Sequence, residues 1–225
     1  TALCLAVLAR VVWDPRIMGA DVGATPIFNW LLVGYGVPAA AFAVAARLLE
    51  KRGDSLSVRL SDSLAVIFAG LLAFFQIRHL TNGGDVLHAG SGHVEGGLMM
   101  LVALAMSYAL AQFHFQRSNR VFDIASLVFG AVSLAIAAFG LMLAVNPLFT
   151  NDVISGRVIF SSLVLGYLLP GIAALYVARH TRELRPEWYV RAAGILGVVL
   201  IVMYVTLEVR HAFHGPQISM FEYPT

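Results

Sequence analysis

Between Asp123 and Asp152 the chain runs through 28 residues without one Asp, Glu, Lys or Arg. As a helix rising 1.5 Å per residue, that stretch is long enough to cross the roughly 30 Å of hydrocarbon in a bilayer. Similar runs recur along all 225 residues, which are 59% hydrophobic and 12% charged, against about half and a quarter in an average soluble domain. A sliding window places full spans near 27–46, 63–80, 96–114, 123–145, 158–178 and 192–209, with a partial span at 2–13. The expected fold is an all-α integral membrane protein with about seven transmembrane helices, the first truncated. Because the runs lack period-2 alternation, a membrane β-barrel is excluded.

Charge and cysteine usage narrow the partners. A formal net charge of +2 without any basic block argues against nucleic acid and leaves membrane lipid as the expected partner. The single cysteine, Cys4, allows neither an internal disulfide nor a thiolate metal site. The connecting segments carry turn chemistry, as at Asp14-Pro15, Asn82-Gly83-Gly84, Asn146-Pro147 and Arg185-Pro186. Ten of the fifteen Lys and Arg residues fall in the loops after the second, fourth and sixth spans. The positive-inside rule makes those loops cytoplasmic and turns the Asp-Pro, Asn-Pro and Arg-His segments outward. Trp13, Trp30 and Trp188 lie near span ends, where an interfacial aromatic belt would hold them. The beginning reads as the second half of a helix and the end as the approach to another, so a piece of a larger protein is expected.

Sliding the sequence against itself at an offset of 132 brings Pro15 onto Pro147, Ile27-Phe28 onto Ile159-Phe160, Gly34-Tyr35 onto Gly166-Tyr167, Pro38 onto Pro170 and Arg78-His79 onto Arg210-His211. Over residues 15–83 this gives 17 identities in 69 ungapped pairs, where composition alone would give about five; such self-similarity marks a repeated structural unit. Four spans separate equivalent positions, so the copies are expected to be parallel four-span repeats, unlike the inverted pairs common among transporters. The expected organisation is a truncated helix at 1–13, a first repeat at 14–145 and an incomplete second repeat at 146–225.

Asp14-Pro15-Arg16, the run from Pro26-Ile27-Phe28-Asn29-Trp30-Leu31-Leu32 to Pro38, the Ile77-Arg78-His79 segment and the ending Glu208-Val209-Arg210-His211-Ala212-Phe213-His214-Gly215-Pro216 together resemble the bacterial predicted membrane protein family of domain of unknown function 2339. The resemblance covers nearly the whole chain. It implies a multi-pass protein of the bacterial cytoplasmic (inner) membrane and supplies no activity.

Two kinds of site are suggested by the residues. Arg78 and His79 with Gln76, and Arg210 and His211 with Glu208, stand at the outward ends of spans, where cations complement the helix dipole and can bond the last carbonyls. The same groups, with Glu95 and Glu222 nearby, could instead bind an anion such as a lipid headgroup or a phosphorylated glycan. His88, His93 and His214 are weaker candidates for a metal site, because their spacing lacks any HExxH-like pattern; Glu95 could equally sit at its helix N-terminus for electrostatic reasons alone. Pro38 and Pro170 lie inside spans, where each should open the backbone ladder and kink the helix.

Absences complete the reading. No nucleophile elbow, P-loop, paired-cysteine or haem motif is present, so no metal or cofactor is expected, and no motif calls for an enzyme. Arg10 is the only charge well inside an apolar run, which disfavours an ion-coupled transporter. A membrane scaffold or assembly subunit of the cell envelope, with other envelope proteins as partners, requires no special chemistry. The alternatives are an outward-facing binder or enzyme acting on an anionic envelope lipid or glycan, and a transporter.

Overall fold

The computed structural model describes residues 9, 22–23, 25–51, 53 and 55–220, with the backbone alone at residue 117. The expected span at 2–13, apart from residue 9, lies outside the described residues, as do Asp14, Pro15, Arg16, Arg52, Asp54 and the candidate Glu222. Among the described residues there are six helices: α1 (Leu32–Glu50), α2 (Ser55–Thr81), α3 (His93–Arg117), α4 (Arg120–Ala144), α5 (Val164–His180) and α6 (Glu187–His214). All but α5 are long and apolar enough to cross a membrane, and α5 is a shorter apolar helix. The only strands among these residues are β1 (Gly156–Arg157) and β2 (Phe160–Ser161), an antiparallel hairpin between α4 and α5.

The chain divides into two compact units, residues 1–89 and 90–225. In the first, α1 packs on α2 around Leu31, Tyr35, Leu64 and Phe68, with Val22 and Val86 closing the core at one end. The Tyr35 ring lies 5.2 Å from that of Phe75, and Phe42 stacks on Phe68 at 5.9 Å. Many large apolar side chains, among them Val37, Val44, Leu48, Ile67 and Phe74, point away from this core and are exposed. That is the distribution expected when the surrounding solvent is lipid.

In the second unit α3 packs on α4 and α5 on α6, and α3 also touches α5. Met100, Leu104, Leu141, Leu163, Tyr167, Leu200 and Leu207 form the buried core. Glycines bring backbones together: a Cβ on Gly97 would lie 2.2 Å from the Leu165 carbonyl oxygen, and one on Gly197 would lie 2.9 Å from that of Gly171. Close small-residue contacts of this kind hold helices together in lipid, where apolar burial gives little drive.

Pro38 and Pro170 lie within α1 and α5. The turn before each is π-helical, Leu32–Gly36 and Val164–Leu168. The N–H of Val37 reaches back to Leu32 O, and that of Leu169 to Val164 O. Pro38 and Pro170 have no N–H to continue the ladder, so the widened turn absorbs the missing bond.

Two expected spans begin late. Helices α1 and α5 start several residues after 27 and 158, because Ile27 and Ile159 adopt φ of 68° and 76°, a left-handed conformation that a helix cannot contain.

Candidate functional site

One cluster of polar groups in the second unit lies where α3 begins, α5 begins and α6 ends. His93 is the first residue of α3 and is 2% exposed. Its ring Nδ1 lies 2.5 Å from Asp152 Oδ2, and its Nε2 lies 2.8 Å from Ser162 Oγ. The backbone N–H of His93 donates to the same Asp152 oxygen at 2.9 Å. Ser162 Oγ in turn accepts the N–H of Ser155 at 3.2 Å, and Ser162 N–H donates to Ser155 O at 2.7 Å.

The direction of this chain follows from chemistry. Partial burial works to raise the Asp152 pKa, but bonds from the His93 ring and backbone and from the Val153 N–H outweigh it, leaving the carboxyl below its ordinary value. An ionised carboxylate can only accept, so Nδ1 carries the proton toward it. In neutral His93, Nε2 is then free to accept the Ser162 hydroxyl proton. Carboxylate, imidazole and hydroxyl thus stand in the order that activates a serine oxygen.

Glycines make the arrangement possible. A Cβ on Gly92 would come 3.0 Å from Asp152 Oδ2, and one on Gly166 would come 2.9 Å from His93 Cδ2. Gly97, one turn along α3, admits the α5 backbone. The three together seat the N-terminus of α3 against the start of α5. The His93 ring stacks on Tyr167 at 6.5 Å, and the Tyr167 hydroxyl donates to Leu141 O at 2.8 Å, so packing fixes the imidazole plane.

Beside this chain lies a second one. Glu208, 6% exposed on α6, accepts the Ser161 hydroxyl and the Ile159 N–H, the latter at 3.1 Å, and faces His211 Nδ1 at 3.4 Å. The Tyr204 hydroxyl donates to Ile159 O at 2.6 Å. Ile159 is therefore held on both sides of its Cα, which is how a β-branched residue stays in a strained left-handed φ. The hairpin it turns presents Ile159 and Phe160, 62% and 84% exposed, next to Ser162.

In the first unit the residues 132 earlier make a comparable but neutral arrangement. Asn29 and Gln76 exchange two side-chain hydrogen bonds, at 3.1 and 3.0 Å, and Gln76 Nε2 also donates to Ile27 O at 2.9 Å. Asn29 Oδ1 accepts Leu31 N–H at 3.1 Å, as Ser161 Oγ accepts Leu163 N–H at 3.1 Å.

The other expected site residues are placed as follows. Arg78 Nε donates to Val86 O at 2.8 Å and Nη2 to His88 O; Arg210 Nε donates to Ile218 O at 2.7 Å and Nη2 to Ser219 O at 3.2 Å. Each guanidinium thereby ties down the segment after its helix. His79 Nε2 meets Gly23 O at 2.7 Å, and exposed His88 lies 3.8 Å from Asp85. Glu95, 2% exposed in the first turn of α3, accepts the Ser91 hydroxyl at 3.1 Å. His214 Nδ1 faces Arg210 O at 3.3 Å. Arg78, His79 and His88 belong to the first unit and Glu95, Glu208, Arg210, His211 and His214 to the second. No group of three or more His, Cys, Asp or Glu among the described residues is placed to hold a metal ion.

Sequence reasoning singled out His93 only as a weak metal ligand and did not single out Ser162. The partners of His93 are 59 and 69 residues away, in loops where no spacing rule connects them. The one available signal was the uncharged stretch itself, since Asp152 is the charge that ends it.

A family profile described as "Predicted membrane protein (DUF2339)" matches residues 1–222. Neither the curated proteins nor the solved structures yield a match.

Proposed function

The chain belongs to the DUF2339 family of predicted membrane proteins, and within that multi-pass, lipid-surrounded frame we propose that its second unit carries a serine acyl-transfer site. The observation that carries this reading is the hydrogen-bonded series Ser162 Oγ, His93 Nε2 and Nδ1, Asp152 Oδ2, at 2.8 and 2.5 Å. In the proposed step Ser162 Oγ attacks the carbonyl carbon of an ester while its proton passes to His93 Nε2. The intermediate then expels the alcohol, which takes that proton, and leaves the acyl group on Ser162. A water or an acceptor hydroxyl attacks the acyl-serine by the reverse route, giving its proton to His93 and restoring the hydroxyl. Asp152 holds the imidazole tautomer and stabilises the imidazolium as it forms.

The substrate class we propose is an acylated envelope lipid or lipid-linked glycan. Ser162 stands two residues before an apolar helix, beside a hairpin whose exposed apolar side chains include Ile159 and Phe160. Such a surface suits the boundary between headgroups and acyl chains. Arg157 on the same hairpin is exposed and offers a guanidinium to an anionic headgroup. The Lys and Arg bias supports turning this end outward from the cytoplasmic membrane of a bacterium.

We further propose that residues 15–83 and 147–215 are parallel copies of one repeat. Supporting this, π turns begin at Leu32 and Val164, helices begin at Ser55 and Glu187, and the left-handed residues are Ile27 and Ile159, each pair 132 apart. The residue matching Ser162 is Trp30, so the hydroxyl belongs to the second copy alone. The anion-binding reading of Arg78, His79, Arg210 and His211 remains a separate proposal. Replacing both arginines by lysine tests it when bound anionic lipid is read beside thermal stability, since lysine loses the carbonyl contacts of each guanidinium whether or not an anion is bound.

The test of the serine reading uses the full-length protein in lipid nanodiscs and a fluorophosphonate probe. Wild type should be labelled at Ser162, located by peptide mass spectrometry, and Ser162→Ala and His93→Gln should not be. An unlabelled wild type, or equal labelling of Ser162→Ala, would overturn it.

A further inference from the structure

At the far ends of α5 and α6 from Ser162, a cavity of about 720 Å³ opens between the last turn of α5 and the first turns of α6. Its lining is of two kinds. Leu175, Val190 and Ile195 give it an apolar wall, while four guanidiniums and a single carboxylate line the rest. Two of the four are already engaged. Arg185 is buried, with Nη1 3.1 Å from Asp123 Oδ1 and Nη2 on the Ser126 hydroxyl. Arg191 pairs with the carboxylate, Glu187, at 2.5 Å, but both side chains are largely exposed, and such surface pairs hold weakly. Arg179 and Arg182 are exposed and have no hydrogen-bond or ion-pair partner among the described residues.

We propose that this cleft binds an anionic phospholipid, with its phosphodiester on Arg179 and Arg182 and the first carbons of one acyl chain along Leu175, Val190 and Ile195. The cleft sits at the mouth of a helix long and apolar enough to span a bilayer, beside Trp188, which is 60% exposed and suited to the headgroup level. Arginine forks match phosphate oxygens, and a basic pocket between spans is a recurring form of lipid recognition. A free phosphate would use only the guanidinium half of the cavity. A phospholipid uses both halves, and the apolar wall is what selects it.

The experiment takes the full-length protein, delipidated in a neutral detergent, and measures bound lipid by native mass spectrometry. Phosphatidylglycerol should be retained at least roughly tenfold more tightly than phosphatidylcholine, and Arg179→Gln with Arg182→Gln should remove most of that preference. Arg59→Gln, on α2, serves as the control and should keep it. Retention is expected to be unchanged in Ser162→Ala, because this site does not depend on the serine reading. Equal retention of the two lipids, or an unaltered preference in the double variant, would overturn the proposal. So would displacement of the lipid by inorganic phosphate at equal concentration, which would make the site one for a free anion.

Discussion

A single oxygen, Asp152 Oδ2, receives both the backbone N–H of His93 at 2.9 Å and its ring Nδ1 at 2.5 Å. One carboxylate thus caps the start of α3 and orients the imidazole, so helix position and ring position cannot vary independently. An acid group satisfying a helix N-terminus is favoured by the dipole, and here it comes from a loop 59 residues away.

Asp152→Asn separates these two roles. An amide can still accept the helix N–H, so the fold should survive, with a loss of about 1 kcal/mol. It cannot stabilise an imidazolium, and probe labelling at Ser162 should slow by about two orders of magnitude or more. Labelling rates beside thermal melts of the same preparations measure both effects.

Acid should weaken the same cap. The Asp152 pKa in the folded chain lies below its ordinary 3.8, so its contribution to stability is fully present above that ordinary value and is lost as pH falls through the lowered one. Protection from hydrogen exchange at the first turn of α3, taken relative to the intrinsic rate at each pH, should therefore fall in wild type as the pH drops below that ordinary value and show a flatter pH dependence in Asp152→Asn. Parallel curves would contradict the assignment.

Gly97→Ala should destabilise the second unit by about 1–3 kcal/mol, since its Cβ would lie 2.2 Å from the Leu165 carbonyl oxygen and backbone must move. The shift separates His93 from Ser162, so labelling should fall with it. Gly140→Ala is the comparison: its nearest neighbour would be a side-chain carbon of Ile136 at 3.6 Å, and both readouts should stay near wild type.

The matched polar pairs predict opposite answers to one exchange. Gln76 donates to Ile27 O, so Gln76→Glu turns a carboxylate toward a carbonyl and should cost about 1–3 kcal/mol at neutral pH. Protonating the new carboxyl restores a donor, so the loss should shrink on acidification. Glu208 accepts the Ile159 N–H and faces His211, and Glu208→Gln, which adds no carboxyl that protonation could turn into a donor, should show no such recovery. Melts of both variants at two pH values distinguish the cases.

Single cysteines at Lys51 and Asn82, in a chain with Cys4 removed, should label from opposite sides of the membrane, Asn82 from outside. The 27 residues of α2 separate them, a rise of about 40 Å. Labelling of both from one side would break the proposed orientation.

What the sequence disclosed and what it hid divide along physical lines. Apolar runs report transfer from water to lipid residue by residue, so five long helices could be read directly. The prolines also declare themselves, because a missing N–H is a local fact. The starts of α1 and α5 were misplaced because Ile27 and Ile159 are apolar and β-branched, and nothing in their chemistry announces a left-handed φ. Self-comparison found Arg78 and Arg210 because the same residue recurs at an offset of 132. It passed over Ser162 because its counterpart is Trp30, and it could not join His93 to Asp152 because the glycines that admit their approach belong to three-dimensional packing.

The adjacent hydroxyls of Ser161 and Ser162 face different partners, Glu208 on α6 and His93 on α3. Exposed hairpins ordinarily accept added or lost residues with little penalty. This one should not: gaining or losing a single residue between Gly156 and Ser161 would hand each serine the other's place, because neighbouring residues of an extended chain point to opposite sides. Among natural variants of this segment, the count of residues between Gly156 and Ser161 should therefore stay fixed.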